Sequence, residues 1–302
     1  MRMHDDQHHI DLELAQRLVA AQFPQWARLP ISPVAGAGTV NAIFRIGEDL
    51  SARFPLQGAD ASETRAALLA EGSALRELGA CIPFPAPRQV ALGEPDEGYP
   101  LPWSVQTWIP GEAATPTGWA DAHAFAEDVA ELIAALRAQP TGGRRFRGPG
   151  RGGDLHDHAD WIAHCLDMSE PLLDTAPLRA LWADLIDLPQ AGADVMSHGD
   201  LTPFNLVVRD GRLAGVLDPN FGPADPALDL VAAWHLFDAP AREVIRARLG
   251  CDDLEWARGA AWALAQALGL TWYYETTNPQ MAALGRSTLS RLAEASPDLA
   301  PH

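Results

Sequence analysis

The sequence predicts an α+β protein with two lobes, a smaller antiparallel-sheet lobe followed by a larger, mainly helical one. Two observations support this fold class. Strand-like runs at 42–46 and 50–54 are joined by a Gly-containing turn near the start of the chain. After Pro110-Gly111, where Pro and Gly stop a further strand, the apolar spacing becomes helical. We therefore expect residues 1–108 to form the first lobe and residues 109–302 the second.

The remaining elements follow from apolar spacing and from breaker residues. A helix is expected at 11–21, where apolar residues recur at helical spacing until Phe23-Pro24 ends it. A second helix is predicted at 63–78, and a strand at 103–109 completes the first lobe. An amphipathic helix at 120–137 opens the second lobe.

The charge balance of the chain indicates which kinds of binding partner it favours. The chain of 302 residues carries 40 acidic and 22 basic side chains, for a formal net charge of −18. Such a field repels nucleic acids and anionic membranes and modestly favours cationic ligands. All 22 basic residues are Arg. The absence of Lys excludes a Walker-A phosphate loop, a Schiff-base Lys and a Ser-Lys dyad.

The cysteines and the N-terminus indicate a compartment. Cys81, Cys165 and Cys251 are odd in number and widely spaced, so they predict neither a disulfide framework nor a zinc site. The polar first ten residues do not resemble a signal peptide, and no apolar run is long enough to span a membrane. We therefore expect a cytoplasmic protein without membrane or nucleic-acid partners.

The stretch SHGDLTPFN, from Ser197 to Asn205, carries the strongest functional signal. It places His198, Asp200 and Asn205 in the frame H-x-D-x-x-x-x-N, and Asp218 follows 13 residues after Asn205. In kinases such a frame sets an Asp beside the acceptor hydroxyl and uses the Asn and the later Asp to hold Mg²⁺. The alternative is a structural loop with a capping Asn and a turn-starting Asp.

The segment after Asn205 predicts a β-hairpin, since Asp210-Gly211 is a strong two-residue turn signal between two strand-like runs. Counting outward from this turn sets Asn205 opposite Val216. Asp218 would then lie two residues further along the same face, at a diagonal separation of roughly 7–8 Å. Two oxygen-bearing side chains at that separation can hold one hard cation between them.

Residues upstream supply a candidate nucleotide-binding set. Gly36, Gly38 and Thr39 form a small-residue turn, and such a turn lets backbone N–H groups approach phosphates closely. Arg53 lies centrally in its predicted strand, where kinases carry a cation for the α/β-phosphates, and Glu71 follows 18 residues later on a predicted helix. The alternatives are an ordinary turn and two surface charges.

Three further polar segments are open to several interpretations. Backbone groups near Gln106 and Trp108 could meet an adenine edge. The run TGGRRFRGPGRGG at 141–153 could cover anionic phosphates, and we interpret it first as a solvated loop. Asp225 and Asp229 are interpreted as structural supports, the first as a helix N-cap and the second as a complement to the helix dipole.

Taken together, these residues resemble the aminoglycoside phosphotransferase family, small-molecule kinases whose fold is similar to that of protein kinases. The likeness runs from about Pro33 to Pro279 and is most specific from His198 to Trp234. It implies that Asp200 is the catalytic residue and that Asn205 and Asp218 are Mg²⁺ ligands.

The same resemblance extends to the first lobe. It implies that residues 36–41, Arg53 and Glu71 contact the nucleotide, and that 103–112, which includes Gln106 and Trp108, corresponds to the family's hinge. The chain departs from the family pattern at three places. Arg53 replaces the usual Lys, and Phe204 occupies a position that is commonly small. Pro219-Asn220 follows Asp218 where many relatives carry an aromatic residue.

The activity that the resemblance implies is phosphoryl transfer from ATP to a hydroxyl of a small molecule. Mg²⁺ is the expected metal, and GTP is not excluded as the donor. An aminoglycoside-type antibiotic, which is cationic, is one expected acceptor. The alternatives are a metabolic alcohol of the choline, sugar or amino-alcohol type, or a non-catalytic nucleotide-binding pseudokinase.

Overall fold

The chain forms two compact units, each with its own secondary structure. The computed structural model describes residues 8–34, 40–58, 60–148 and 150–299. The units are Met1–Ala80 with Pro85–Pro110, and Cys81–Phe84 with Gly111–His302. The first is built on an antiparallel sheet and the second is mainly helical, so the predicted α+β class is confirmed.

The first unit combines one sheet with helices. Its strands are β1 (Ile31–Pro33), β2 (Asn41–Ile46), β3 (Leu50–Pro55), β4 (Gln89–Gly93) and β5 (Trp103–Thr107). They pair antiparallel in the order β1-β2-β3-β5-β4. The helices are α1 (Leu12–Gln22) and α2 (Ala61–Cys81).

The core of the first unit explains why these segments fold as they do. Asp11 caps α1, because its carboxylate accepts from the Leu14 N–H at 2.8 Å. Phe54 of β3 stacks on Trp103 of β5, with ring centroids 4.6 Å apart. Gly93 of β4 pairs with Trp103, and a Cβ at this glycine would lie 2.0 Å from the indole ring. Only glycine therefore fits at this position of the sheet.

The second unit carries short strands among many helices. Its strands are β6 (Glu112–Ala113), β7 (Val195–Ser197), β8 (Leu206–Arg209), β9 (Arg212–Val216) and β10 (Gly222–Ala224). Its helices are α3 (His123–Arg137), α4 (Ala159–Ser169), α5 (Ala176–Leu185), α6 (Val231–Leu236), α7 (Ala239–Leu249), α8 (Asp253–Tyr273) and α9 (Pro279–Leu299). Helix α8 is buried on nearly all sides from Trp256 to Leu268 and packs against α4, α6 and α9. It is the central helix of this unit.

The predicted hairpin forms, but its register differs from the expected one. The Asp210-Gly211 turn has φ angles of 55° and 76°, which suits its two-residue connection. Strand β9 then carries one extra residue, Ala214, so that Leu206 rather than Asn205 pairs with Val216. The expectation that Asn205 faces Val216 is therefore wrong. The expectation that Asn205 and Asp218 lie diagonally on one face of the hairpin is also wrong, because it assumed regular pairing from the turn onward.

Two elements beyond the hairpin also differ from the sequence prediction. Residues 222–224, expected as loop, form β10 and pair antiparallel with β7. The helix expected to open at Asp225-Pro226 begins only at Val231, after a 3-10 turn at Leu228–Leu230. Within the described residues, no helix is both long and apolar enough to cross a lipid bilayer.

Candidate active site

The loop that follows β7 is held by a buried carboxylate. Asp229 accepts from the backbone N–H of His198 at 2.9 Å and from that of Gly199 at 3.1 Å. Gly199 has φ +79°, and a Cβ there would lie 3.0 Å from the carbonyl oxygen of Asn220. Asp229 therefore fixes the backbone just before Asp200. The sequence interpretation, which gave Asp229 only a helix-dipole role, missed this contact.

The His198 ring joins this loop to the segment that carries Asp218. His198 is fully buried, and its Nε2 lies 2.8 Å from the carbonyl oxygen of Leu217. The backbone N–H of Asp200 donates to its Nδ1 at 3.3 Å. A carbonyl only accepts and an amide N–H only donates, so the ring carries its proton on Nε2. One side chain thus positions the backbone on both sides of the site.

The Asp200 carboxylate is oriented by side chains from three separate segments. Its Oδ1 accepts from Arg151 Nη2 at 2.9 Å and from Gln266 Nε2 at 2.8 Å. Its Oδ2 accepts from Asn205 Nδ2 at 3.1 Å. Since each donor comes from a different part of the second unit, the carboxylate is held in one orientation while it stays partly exposed to solvent.

The residues predicted to bind Mg²⁺ have suitable donor chemistry. The Asn205 amide nitrogen is bonded to the Asp200 carbonyl at 2.9 Å and to the Asp200 carboxylate. The Asn205 amide oxygen is therefore directed away from Asp200 and can serve as a ligand. Asp218 supplies a carboxylate two residues beyond the end of β9, from a backbone with φ +46°. Oxygen donors of this kind, completed by phosphate and water, suit Mg²⁺.

This pair differs from a metal site built of protein ligands alone. Within the described residues, no group of three or more His, Cys, Asp or Glu side chains is arranged to hold a metal ion. Mg²⁺ in phosphoryl-transfer enzymes takes few protein ligands and completes its shell with substrate phosphates. Asn205 and Asp218 fit that pattern, and their role as ligands stays a prediction.

A buried polar chain supports Gln266 from behind. His235 Nε2 lies 3.3 Å from Gln266 Oε1, and His235 Nδ1 lies 2.8 Å from the Thr288 hydroxyl. Because the Gln266 amide nitrogen donates to Asp200, its oxygen must accept from His235, and Thr288 must donate to His235. Burial lowers the pKa of His235 to about 4, so the ring is neutral near pH 7.

The Gly/Arg-rich loop is anchored at both ends. Phe146 donates its backbone N–H to Asp194 at 2.7 Å, and the Gly152 carbonyl accepts from the Asp225 N–H at 2.8 Å. Between these anchors, Arg151 reaches Asp200. The first interpretation of 141–153 as a solvated loop is therefore wrong for Arg151.

Asp225 forms a buried ion pair, and the expectation that it caps a helix is wrong because α6 begins only at Val231. Its Oδ2 accepts from Arg258 Nε and from Trp262 Nε1, each at 2.9 Å, and neither Asp225 nor Arg258 is exposed. Its Oδ1 accepts from the Ala227 N–H at 2.9 Å, which closes a local turn and does not cap a helix. The pair ties the segment after β10 to α8, which also carries Gln266.

The first unit brings together the residues predicted to order the nucleotide phosphates. Arg53 lies on β3 between Ile43 of β2 and Ser104 of β5, and its Nε is 3.8 Å from Glu71 Oε1 of α2. Gln106 donates its side-chain amide to the same Glu71 oxygen at 2.9 Å. Arg53 and Glu71 thus form a partly buried ion pair. Their contact with a nucleotide stays a prediction.

Two other predicted nucleotide contacts are less direct. Gly36, Gly38 and Thr39 lie outside the described residues. Trp108 follows β5 and donates its backbone N–H to Asp49, and its ring lies 5.2 Å from the Arg45 guanidinium. A contact of Gln106 or Trp108 with a nucleotide base stays a prediction.

Sequence comparison identifies the family of this chain. A family model described as the phosphotransferase enzyme family matches residues 31–268, which is well over half of the chain. The chain belongs to the phosphotransferase enzyme family. The sequence resemblance is thereby confirmed, and this phosphotransferase is an enzyme of that class. A search of curated proteins finds no match to it.

Solved structures share the fold of this phosphotransferase at low sequence identity. The GDP complex of wild-type aminoglycoside 2'-phosphotransferase-IIIa is similar with a TM-score of 0.71 and 19% identity, over 94% of this chain and 99% of that chain. Macrolide 2'-phosphotransferase type I gives a TM-score of 0.61 and 18% identity, over 93% and 98%. The streptomycin-ATP-APH(2")-IIa ternary complex gives 0.57 and 16%, over 95% and 98%.

Three residues of the site were not found from the sequence. Arg151, Gln266 and His235 lie far from the catalytic frame along the chain, and Gln266 is 66 residues from Asp200. A glutamine within the apolar run 259–270 of α8 was an available signal, because a buried amide needs hydrogen-bond partners.

Proposed function

We propose that this phosphotransferase transfers the γ-phosphoryl group of ATP to a hydroxyl of a small molecule. The observation that carries the proposal is the Asp200 carboxylate, which is fixed by three donors yet open to solvent. A carboxylate held in this way can orient an acceptor hydroxyl and take its proton.

In the proposed reaction, the acceptor oxygen attacks the γ-phosphorus while its proton passes to Asp200. A bond forms between the acceptor oxygen and the γ-phosphorus, and the bond from that phosphorus to the β,γ-bridging oxygen breaks to release ADP. Mg²⁺, when held by Asn205 and Asp218, supplies positive charge that neutralises the phosphate oxygens. The chain contributes mainly positioning and electrostatic stabilisation.

The nucleotide would be held by residues of the first unit. Arg53 can donate two parallel hydrogen bonds to phosphate oxygens, and Glu71 fixes its side chain. Gly36, Gly38 and Thr39 are the proposed phosphate-covering turn. One similar structure holds GDP and another holds ATP. The assay therefore includes both GTP and ATP as phosphoryl donors.

The test is an assay of ADP and GDP release with purified protein, Mg²⁺ and a panel of hydroxyl compounds. The panel contains aminoglycosides and macrolides, after the similar structures, together with choline, sugars, amino alcohols and hydroxy acids. Asp200→Asn is expected to lower kcat by about 10²–10⁴-fold and to leave nucleotide affinity unchanged. Asp210→Asn, in the exposed hairpin turn, is the matched control and should keep full activity.

Unchanged turnover in Asp200→Asn would contradict the proposed base. Nucleotide binding that ignores Mg²⁺, with no transfer to any acceptor, would favour a non-catalytic nucleotide-binding module.

A further inference from the structure

A cavity of about 480 Å³ in the second unit adjoins the catalytic loop. Gly199 and Asn220 form one wall, and residues of the Gly/Arg-rich loop, including Arg147 and Arg151, form another. Its volume lies within the range of roughly 300–1,000 Å³ that small-molecule sites occupy. Because Arg151 also contacts Asp200, the cavity is next to the catalytic carboxylate.

The charged side chains that line this cavity are cationic. Arg147 and Arg151 contribute guanidinium groups, and among the described lining residues there is no Asp or Glu. Asp200 pairs with Arg151, whereas Arg147, on an exposed part of the loop, has no acidic partner among the described residues. The positive charge at the cavity is opposite in sign to that of the whole chain, whose net charge of −18 would attract cations at long range.

Two polar atoms at this cavity lack hydrogen-bond partners. In the described part of the chain, Arg151 Nε and His158 Nε2 are buried from solvent and make no hydrogen bond. Both residues line the cavity. A buried polar atom that stays unpaired costs free energy, so these two nitrogens are suited to a ligand that supplies hydrogen-bond partners.

The state of His158 defines what its free nitrogen offers. Burial lowers the pKa of His158, while the negative charge of Asp157 and, to a smaller extent, a hydrogen bond with the Gly150 backbone oppose this shift. The ring is then neutral near pH 7, and its unpaired Nε2 can make a hydrogen bond to a ligand. Arg151 Nε offers a donor, so the cavity presents complementary groups for an oxyanion and for a hydroxyl.

We propose that the phosphoryl acceptor is an anionic hydroxyl compound, whose carboxylate or phosphate is bound by Arg147 and Arg151 in this cavity. The inference rests on the proposed kinase activity and specifies its substrate class. Arg side chains suit both oxyanions, because the planar guanidinium donates two parallel hydrogen bonds to either one. A polycationic acceptor would instead bring like charge against these arginines.

The test compares acceptors that differ only in the anionic group. Glycerate and glycerol 3-phosphate are compared with glycerol, gluconate is compared with glucitol, and kanamycin represents the polycations. ADP release should be highest for an anionic member, and the carboxylate and phosphate arms identify which oxyanion is preferred. Higher kcat/KM for kanamycin or for the uncharged partners would overturn the proposal.

Arg147→Gln tests the binding role without touching Asp200. For the preferred anion we expect KM to rise about tenfold or more with kcat within about twofold, because a charge-assisted hydrogen bond is lost. KM for the uncharged partner should not change. Arg145→Gln is the control, since Arg145 is an exposed arginine of the same loop that lines a different cavity. Equal KM values in wild type and Arg147→Gln would overturn the proposal.

A binding measurement separates failure of this inference from failure of the kinase proposal. If no acceptor yields ADP, the proposed function is wrong, and calorimetry with gluconate then tests the cavity alone. Gluconate binding that weakens about tenfold in Arg147→Gln but not in Arg145→Gln supports the anion site. Absence of gluconate binding, together with absence of glycerol 3-phosphate binding, refutes it.

Discussion

Lowering the pH from 7 to 5 is expected to destabilise the protein through His235. This ring is fully buried between Gln266 and Thr288, and burial lowers its pKa from 6.5 to about 4. In the unfolded chain the same side chain takes up a proton as the pH falls through about 6.5. Between these two values the unfolded state binds more protons than the native state, so the free energy of unfolding falls with the pH.

The size of this effect follows from the two pKa values. One pKa unit corresponds to about 1.4 kcal/mol. At pH 7 the contribution of His235 is close to zero, and at pH 5 it lowers the free energy of unfolding by about 2 kcal/mol. Below pH 4 both states are protonated, and the loss reaches a plateau of about 3 kcal/mol.

The assay is urea unfolding at pH 7, 6 and 5 for wild type and His235→Asn. Asn cannot titrate, so the decrease between pH 7 and pH 5 should be about 2 kcal/mol smaller in this variant than in wild type. The quantity compared is the change in the free energy of unfolding between pH 7 and pH 5. Any pH-independent loss of stability caused by the substitution cancels in this difference. His123→Asn, at the exposed start of α3, controls for replacing a histidine. Equal pH dependence in wild type and His235→Asn would refute the reasoning.

Three further substitutions test the remaining contacts. Gln266→Ala removes one hydrogen-bond donor from Asp200 and should lower kcat about tenfold while nucleotide affinity stays the same. Single-turnover kinetics measures this effect, and a change confined to nucleotide affinity would contradict the positioning role. Arg258→Met leaves Asp225 as an unpaired buried charge and should cost about 3–5 kcal/mol in urea unfolding; a loss below about 1 kcal/mol would contradict it. Asn205→Ala should raise the Mg²⁺ concentration for half-maximal activity, and an unchanged Mg²⁺ titration would argue against its role as a ligand.

Local sequence signals predicted the elements that depend on local physics. The helix of residues 11–21 forms as α1 because Asp11 caps it and its apolar residues recur on one face. The Asp210-Gly211 turn forms because both residues adopt positive φ. Both features depend on a few consecutive residues, which is why the sequence alone was sufficient.

Features that depend on distant contacts were harder to predict. Beside the bulge at Ala214 the hairpin is anchored to α3, where Asp128 accepts from the Leu213 N–H at 2.9 Å and from the Arg212 side chain. Nothing within the hairpin sequence identifies that contact. Likewise, Arg151 is separated from Asp200 by 49 residues, and its role appears only once the loop is folded.

The buried imidazole of His198 has a consequence for precision in the site. Both of its ring nitrogens are occupied by backbone groups, one from the Asp200 segment and one from the Asp218 segment. A rigid five-membered ring therefore sets the distance between these two backbone segments. Thermal displacement of one segment must move the other, so the carboxylates of Asp200 and Asp218 should fluctuate in concert rather than independently.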